Sequence, residues 1–110
     1  MKKVKKIDIH VHSVFEKWNF LEQNSNWTTP AELKVKYEEL GIEKGVQLPL
    51  NSPEGRFQII SNQESYKLAK EYPNQYDWFC NPDPREGNNT PNYDLSQFLK
   101  FYKSMGAKGV

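Results

Sequence analysis

The stretch VKKIDIHVH, residues 4 to 12, opens the chain with the pattern of a β-strand. Apolar and polar residues alternate strictly over its second half, and the apolar ones are β-branched, which is typical of a strand with one buried face. The pattern predicts one apolar face and one polar face, made respectively of Ile7, Ile9 and Val11 and of Asp8, His10 and His12.

A helix with clear start and stop signals follows this strand. Thr29 is the expected N-cap, Pro30 suits the first helical position and Glu32 completes a capping box. Gly41 suits the position just after the helix, where the backbone turns left-handed. The loop between strand and helix, residues 13 to 28, is rich in aromatic residues, which predicts either packing onto the body or a wall of a binding pocket.

Strand and helix signals then alternate to the last residue. GVQLPL, residues 45 to 50, predicts a second strand, and Ser61 with Glu64 predicts a capped helix from Asn62 to Tyr72. YDWFCN, residues 76 to 81, predicts a third strand. A third helix is predicted from Asp94 as N-cap to Gly106 as terminator, and its apolar face consists of Leu95, Phe98, Leu99 and Tyr102. The segment AKGV after it predicts the start of a fourth strand.

The order β-α-β-α-β-α-β predicts an α/β fold in which right-handed crossovers join parallel strands. The spacing of the units fits a (βα)8 TIM-type barrel of about 250 residues. Residues 1–110 are therefore predicted to be one partial domain, the N-terminal half of such a barrel with about three and a half βα units, and thus a truncated piece.

Composition and charge exclude several classes of partner. A net charge of +1 gives no field that would draw nucleic acid, and no apolar run approaches the ~20 residues that span a membrane. Without the apolar core of a signal peptide, and with Cys80 as the single cysteine, a cytoplasmic location is expected. Hydrophobic residues make up 36% of the chain with six glycines besides, below the ~45–50% of soluble domains when glycine is counted. We therefore expect self-association or pairing with the missing half of the barrel.

The only two histidines of the chain, His10 and His12, are one residue apart. Side chains at this spacing share a strand face, about 7 Å apart along the strand, so two imidazoles can converge on one cation. They also stand at the carboxyl end of the first strand, where parallel α/β folds form their sites. The pattern predicts a pair of metal ligands; the alternative is two ordinary histidines of a core or an edge.

IDIHVHS, residues 7 to 13, resembles the start of the amidohydrolase superfamily, whose barrels begin with a His-x-His metal pair. The layout is similar to the amidohydrolase-2 branch in three further segments, namely GIEKGVQLPL, YDWFCNPDPR and FLKFYKSMGAKGV. The resemblance implies a (βα)8 barrel that binds one or two divalent ions, usually zinc, with His10 and His12 as the first two ligands. The family's later ligands, on the fourth, fifth, sixth and eighth strands, fall beyond Val110.

The function that this resemblance implies is that of a metal-dependent hydrolase or of a metal-assisted decarboxylase. In the hydrolase, metal-activated water would attack a C–N or C–O bond of a small-molecule substrate. Asp8 is a candidate for orienting a ligand ring, and the alternative is a polar residue of the barrel interior that is paired locally. Asn81, Asp83 and Arg85 are candidates for binding substrate, with turn formation as the alternative.

Two other functions stay open from the sequence. His10, His12 and Ser13 also resemble the opening of the PHP-type metal phosphoesterases. A half-barrel without catalytic function, acting as an interaction module, is the second.

Overall fold

The computed structural model describes residues 3–18, 27–51 and 58–110. It is a mixed α/β structure that contains one parallel sheet in the order β1-β2-β3. The strands are β1 (Lys6–Val11), β2 (Ile42–Gln47) and β3 (Tyr76–Trp78), and the helices are α1 (Pro30–Leu40), α2 (Asn62–Glu71) and α3 (Ser96–Ser104). The prediction of parallel strands alternating with helices is confirmed.

Helix α1 begins and ends as its sequence predicts. The Thr29 side chain accepts a hydrogen bond from the backbone of Glu32, whose carboxylate accepts from the backbone of Thr29, so the capping box is complete. Gly41 adopts φ 69°, a left-handed conformation that glycine tolerates at no steric cost. The chain therefore turns sharply after α1 and enters β2 at the next residue.

The other two helices follow their signals with small differences. Helix α2 begins after Ser61, whose hydroxyl caps the N–H of Glu64, and ends one residue before the predicted Tyr72. Helix α3 begins after Leu95, while Asp94 accepts the backbone N–H of Ser96 at 2.9 Å. Within the described part of the chain, no helix combines the length and the apolarity needed to cross a membrane.

Strand β2 lies earlier than predicted, since it begins at Ile42 and ends at Gln47 rather than at Leu50. Pro49 has no N–H to give to a ladder, and the backbone has left the sheet by then. Leu50 instead pairs antiparallel with Ile60 in an isolated bridge. Leu48 and Leu50, inside the predicted strand, therefore lie beyond the end of β2.

Strand β3 is also shorter than the predicted 76–81, and residues 107–110 do not form a strand in the structure. The backbone N–H of Lys108 nevertheless donates to the carbonyl of Trp78, and that of Cys80 donates to the carbonyl of Gly109, both at 2.9 Å. The end of the chain therefore lies along β3, on the side away from β2.

The predicted alternation along β1 is wrong, because β1 carries a β-bulge. Asp8 pairs with Gly45 and Val11 pairs with Gln47, so three steps along β1 oppose two steps along β2. An extra residue in one strand shifts its alternation of faces by one position. Asp8 and Val11 therefore lie on the same face of the sheet.

The burial of the side chains agrees with this register. Val11 belongs to the hydrophobic core, and Asp8 accepts a hydrogen bond from α1. Ile7 and Ile9, predicted to share a buried face with Val11, are 61% and 73% exposed, and His10 is exposed as well. The sheet therefore has a helix-covered face and an open face, and Ile7, Ile9 and His10 are on the open face.

The core joins one face of the sheet to both α1 and α2. Its buried members come from β1, α1, α2 and β3, and they are Val11, Leu33, Tyr37, Leu68 and Tyr76. A single cluster reaches both helices, so α1 and α2 cover the same face of the sheet. Helix α3 has no fully buried residue and packs through Tyr102, whose ring meets Trp78 edge-on at 6.2 Å between centroids.

We predict that Leu68→Ala lowers the free energy of unfolding by about 2–5 kcal/mol, because Leu68 is fully buried in this core. Urea denaturation followed by circular dichroism measures the change. Leu40→Ala is the matched control: Leu40 is 57% exposed on α1, and its truncation should change stability by no more than about 0.5 kcal/mol. Equal losses in the two variants would contradict the assignment of the core.

Candidate metal centre

The two histidines meet through their outer ring nitrogens at the carboxyl end of β1. Nε2 of His10 lies 3.0 Å from Nε2 of His12, and the rings are almost perpendicular. Two nitrogens bound to one tetrahedral zinc ion at ~2.0–2.1 Å would be about 3.3 Å apart. The two nitrogens are therefore close to the spacing of two ligands of one ion, although in the metal-free chain one donates its ring proton to the other and an ion would replace that proton.

A backbone carbonyl sets the tautomer of His12. Nδ1 of His12 lies 2.8 Å from the carbonyl oxygen of Leu48, just beyond β2. A carbonyl oxygen only accepts hydrogen bonds, so Nδ1 carries the proton and donates it. Nε2 of neutral His12 is then unprotonated and accepts the Nε2–H of His10, and the carbonyl at Nδ1 is the outer contact that metal-binding histidines commonly have.

The residue after the pair, Ser13, is fixed by a fully buried glutamine of β2. Gln47 accepts the backbone N–H of Ser13 at 2.8 Å and donates to its carbonyl at 3.0 Å. Tyr76 of β3 donates its hydroxyl proton to the Ser13 hydroxyl at 2.9 Å. All three residues are essentially inaccessible to solvent, so three strands jointly hold the backbone next to His12.

The loop after β1 contributes an aromatic wall to the pair. The ring of Trp27 meets His12 edge-on at 6.4 Å between centroids. Two side chains from outside this loop hold it in place. Glu64 accepts the backbone N–H of Phe15, and Gln58 donates to the carbonyl of Glu16. Phe20 of this loop lies outside the described residues.

Asp8 contacts the backbone of His10 rather than its ring. Oδ1 of Asp8 accepts the backbone N–H of His10 at 3.0 Å, and Oδ2 accepts the hydroxyl of Tyr37 at 3.0 Å. Burial, and secondarily the Asp8 carboxylate, raises the pKa of Tyr37, so its hydroxyl remains a donor at physiological pH. The predicted orientation of a ligand ring by Asp8 would therefore act through the main chain.

The three residues predicted to bind substrate follow β3, and β2 lies between them and the histidines. The backbone of Asn81 is held at both its N–H and its carbonyl by the side chain of Asn62. Asp83 accepts the N–H of Arg85 at 2.9 Å, and its own carbonyl accepts the N–H of Glu86. Asp83 thus makes the hydrogen bonds of a turn, and the role of these residues toward substrate stays a prediction.

As a candidate metal site, the histidine pair would offer two protein ligands. Among residues 3–18, 27–51 and 58–110, no group of three or more His, Cys, Asp or Glu side chains is placed to hold an ion. Catalytic zinc sites have three protein ligands and an open position. The residues present thus fit half of a zinc site by donor type, tautomer and distance.

Sequence reasoning missed Gln47 and Tyr76, which support the pair from the neighbouring strands. A glutamine inside the apolar stretch GVQLPL was a usable signal, because a buried amide needs hydrogen-bond partners. Which backbone it would satisfy depends on the register of β1 against β2, and that register contains the bulge.

We predict that Gln47→Ala destabilises the fold, because it leaves the buried N–H and carbonyl of Ser13 without partners, each costing about 1–3 kcal/mol. Chemical denaturation measures the loss. Gln97→Ala is the control, since the exposed Gln97 only donates to Tyr93 and its removal should have little effect. A Gln47→Ala protein as stable as the control would contradict this and show that water replaces the hydrogen bonds of Gln47 to the backbone of Ser13.

Comparison with protein-family models, with curated proteins and with solved structures found no match for this chain.

Proposed function

We propose that this chain carries the first two ligands of a metal-dependent hydrolase of the amidohydrolase type. The observation that supports the proposal best is the convergence of the two Nε2 atoms of His10 and His12 at 3.0 Å. The hydrogen bond from Nδ1 of His12 to Leu48 adds a tautomer suited to binding a cation. Zinc is the proposed ion, because imidazole nitrogen in a tetrahedral site suits it.

The arrangement of the strands supports a half-barrel as the frame for this site. Sequential order of parallel strands, with α1 and α2 on one face, is what consecutive units of a (βα)8 barrel have. A doubly wound fold instead covers both faces of its sheet. In a barrel, the open face that holds Ile7, Ile9 and His10 would be the interior. The radius of gyration of 15.5 Å, against about 13 Å for a compact domain of this length, fits an open shape.

The chemistry that a bound ion would supply is Lewis-acid activation of water and of a substrate carbonyl. The chain's own residues hold the two imidazoles: Leu48 fixes the His12 tautomer, and Gln47 fixes the backbone beside it. The ring of Trp27 lies edge-on to His12, at 6.4 Å between centroids. The proposed substrate is a small molecule with a C–N or C–O bond to cleave, or an acid to decarboxylate. Cys80 is buried, which suits the proposed cytoplasmic location, where thiols stay reduced.

We predict that His10→Ala and His12→Ala each weaken zinc binding by about tenfold or more, because each removes one of two ligands. Competition with a chromophoric chelator measures the dissociation constant, and circular dichroism checks the fold. Cys80→Ser is the control, since it removes the only thiol, which lies on another strand end and is buried. Folded histidine variants that bind zinc as the unsubstituted chain does would contradict the proposal.

A second candidate function is assembly through the open face of the sheet. Its support is the exposure of Ile7 and Ile9, since two neighbouring β-branched side chains on a sheet are rarely left to solvent unless something covers them. In this function the half-barrel pairs with a second copy or with a separate second half.

We predict that Ile9→Lys shifts the chain toward monomer, because a charge on the open face opposes burial of that face. Sedimentation velocity over a range of concentrations measures the mass. Val35→Lys is the matched control: Val35 is 53% exposed, but on α1. Two outcomes would argue against assembly through this face: an unsubstituted chain that is monomeric throughout, or equal effects of the two lysines.

A further inference from the structure

We infer that Asp8 is a positioning residue whose carboxylate maintains the bulge of β1 and thereby keeps His10 and His12 on the open face while Val11 packs into the core. The inference rests on the proposed function of the histidines as ligands, although the geometry itself belongs to the metal-free chain. It concerns the direction of the two histidine side chains and assigns Asp8 no contact with an ion.

The register shows what the bulge changes. In an unbroken strand, residues 8, 10 and 12 share one face. Asp8 lies on the helix-covered face, because Tyr37 of α1 reaches it, so strict alternation would direct His10 toward α1 as well. The extra residue between Asp8 and Val11 reverses the alternation before His10. His10 is consequently exposed on the open face, where it meets His12, the next residue but one in a regular alternation, while Val11 between them packs into the core.

Both oxygens of the Asp8 carboxylate are occupied in a way that stabilises this bulge. A bulge leaves a backbone group without its partner in the ladder. Oδ1 of Asp8 gives the N–H of His10 an acceptor two residues away, the local pattern that allows aspartate to compete with regular secondary structure. Oδ2 accepts from Tyr37, which is 5% exposed and held in the core, so the carboxylate cannot swing away.

Gly45 is the residue of β2 opposite Asp8, and it leaves the space that this contact needs. A Cβ at Gly45 would overlap the Tyr37 hydroxyl oxygen and press on Val11. The absence of a side chain therefore lets Tyr37 reach across β2 to Asp8. A core tyrosine, a glycine and an aspartate together fix where the backbone of β1 bends.

The test compares Asp8→Ala with Asp8→Asn in the metal-free chain. Alanine removes both contacts, whereas asparagine keeps an acceptor for His10 and a polar partner for Tyr37. The readout is the nuclear Overhauser effect between the Val11 methyl groups and the ring of Tyr37, because both side chains belong to the core and Val11 leaves it if the bulge is lost. We expect the effect to be lost in Asp8→Ala and restored in Asp8→Asn. Glu43→Ala, which removes an exposed carboxylate of β2 paired with Lys5, is the control and should leave it unchanged.

Zinc affinity is the second readout, measured by chelator competition on the same variants. Asp8→Ala should raise the dissociation constant about 10–100-fold, the usual effect of removing a residue that supports a metal ligand. If Asp8→Ala does not fold, Tyr37→Phe decides. It removes one hydrogen bond of the carboxylate and keeps the ring in the core, so a weaker effect between Val11 and the ring of residue 37 is expected.

The outcomes separate this inference from the proposed function. A folded Asp8→Ala chain that keeps the contact between Val11 and Tyr37 overturns the inference, as does an unchanged contact between Val11 and residue 37 in Tyr37→Phe where Asp8→Ala does not fold. If the contact follows Asp8 as expected but the unsubstituted chain binds no zinc, the positioning role stands and the metal function fails. If zinc binds equally to the unsubstituted chain and to Asp8→Ala, the metal function stands and the inference fails.

Discussion

The structure depends on the junction between β1 and β2 at their carboxyl ends. There the buried amide of Gln47 satisfies both backbone groups of Ser13, and the carbonyl of Leu48 takes the ring proton of His12. A buried amide in an apolar sheet is costly unless each of its groups finds a partner, so this junction admits one register only. That register determines where β1 bends and which way the imidazoles point.

The helix-covered face and the open face of the sheet serve different purposes. The first carries the main cluster of buried apolar side chains, which includes Val11, Leu68 and Tyr76, and it stabilises the domain. The second carries the two histidines, together with isoleucines that solvent reaches. The core thus lies on one face, and the other face carries exposed β-branched residues and paired imidazoles. The proposed half-barrel would have this distribution.

Most of the fold could be predicted from the sequence, because its signals are local. The capping box at Thr29, the hydroxyl cap at Ser61 and the left-handed Gly41 each act within a few residues, and all are where they were expected. The faces of β1 could not be predicted. The bulge results from contacts of Asp8 with Tyr37 and of Val11 with the core, and these residues are far apart in the sequence. The end of β2 was misplaced because a hydrophobic run continues through Pro49 after the ladder has stopped.

For the candidate site, spacing alone indicated the histidine pair but not its surroundings. Residues two apart on a strand are neighbours whatever the fold, so the proximity of His10 and His12 was predictable. Three features depend on the register of β1 against β2: the approach of the rings through Nε2, the hydrogen bond of His12 to the Leu48 carbonyl, and the hydrogen bonds of Gln47 to Ser13. The residues after β3 show the opposite case: Asp83 stands in a favourable sequence context, yet its described hydrogen bonds are those of a turn.

X-ray absorption at the zinc edge, on the chain loaded with one equivalent of zinc, tests the central claim most directly. The account predicts a first shell that includes two imidazole nitrogens at about 2.0–2.1 Å, both lost when His10 and His12 are replaced together by alanine. A shell without imidazole, or one unchanged by that double substitution, would contradict it.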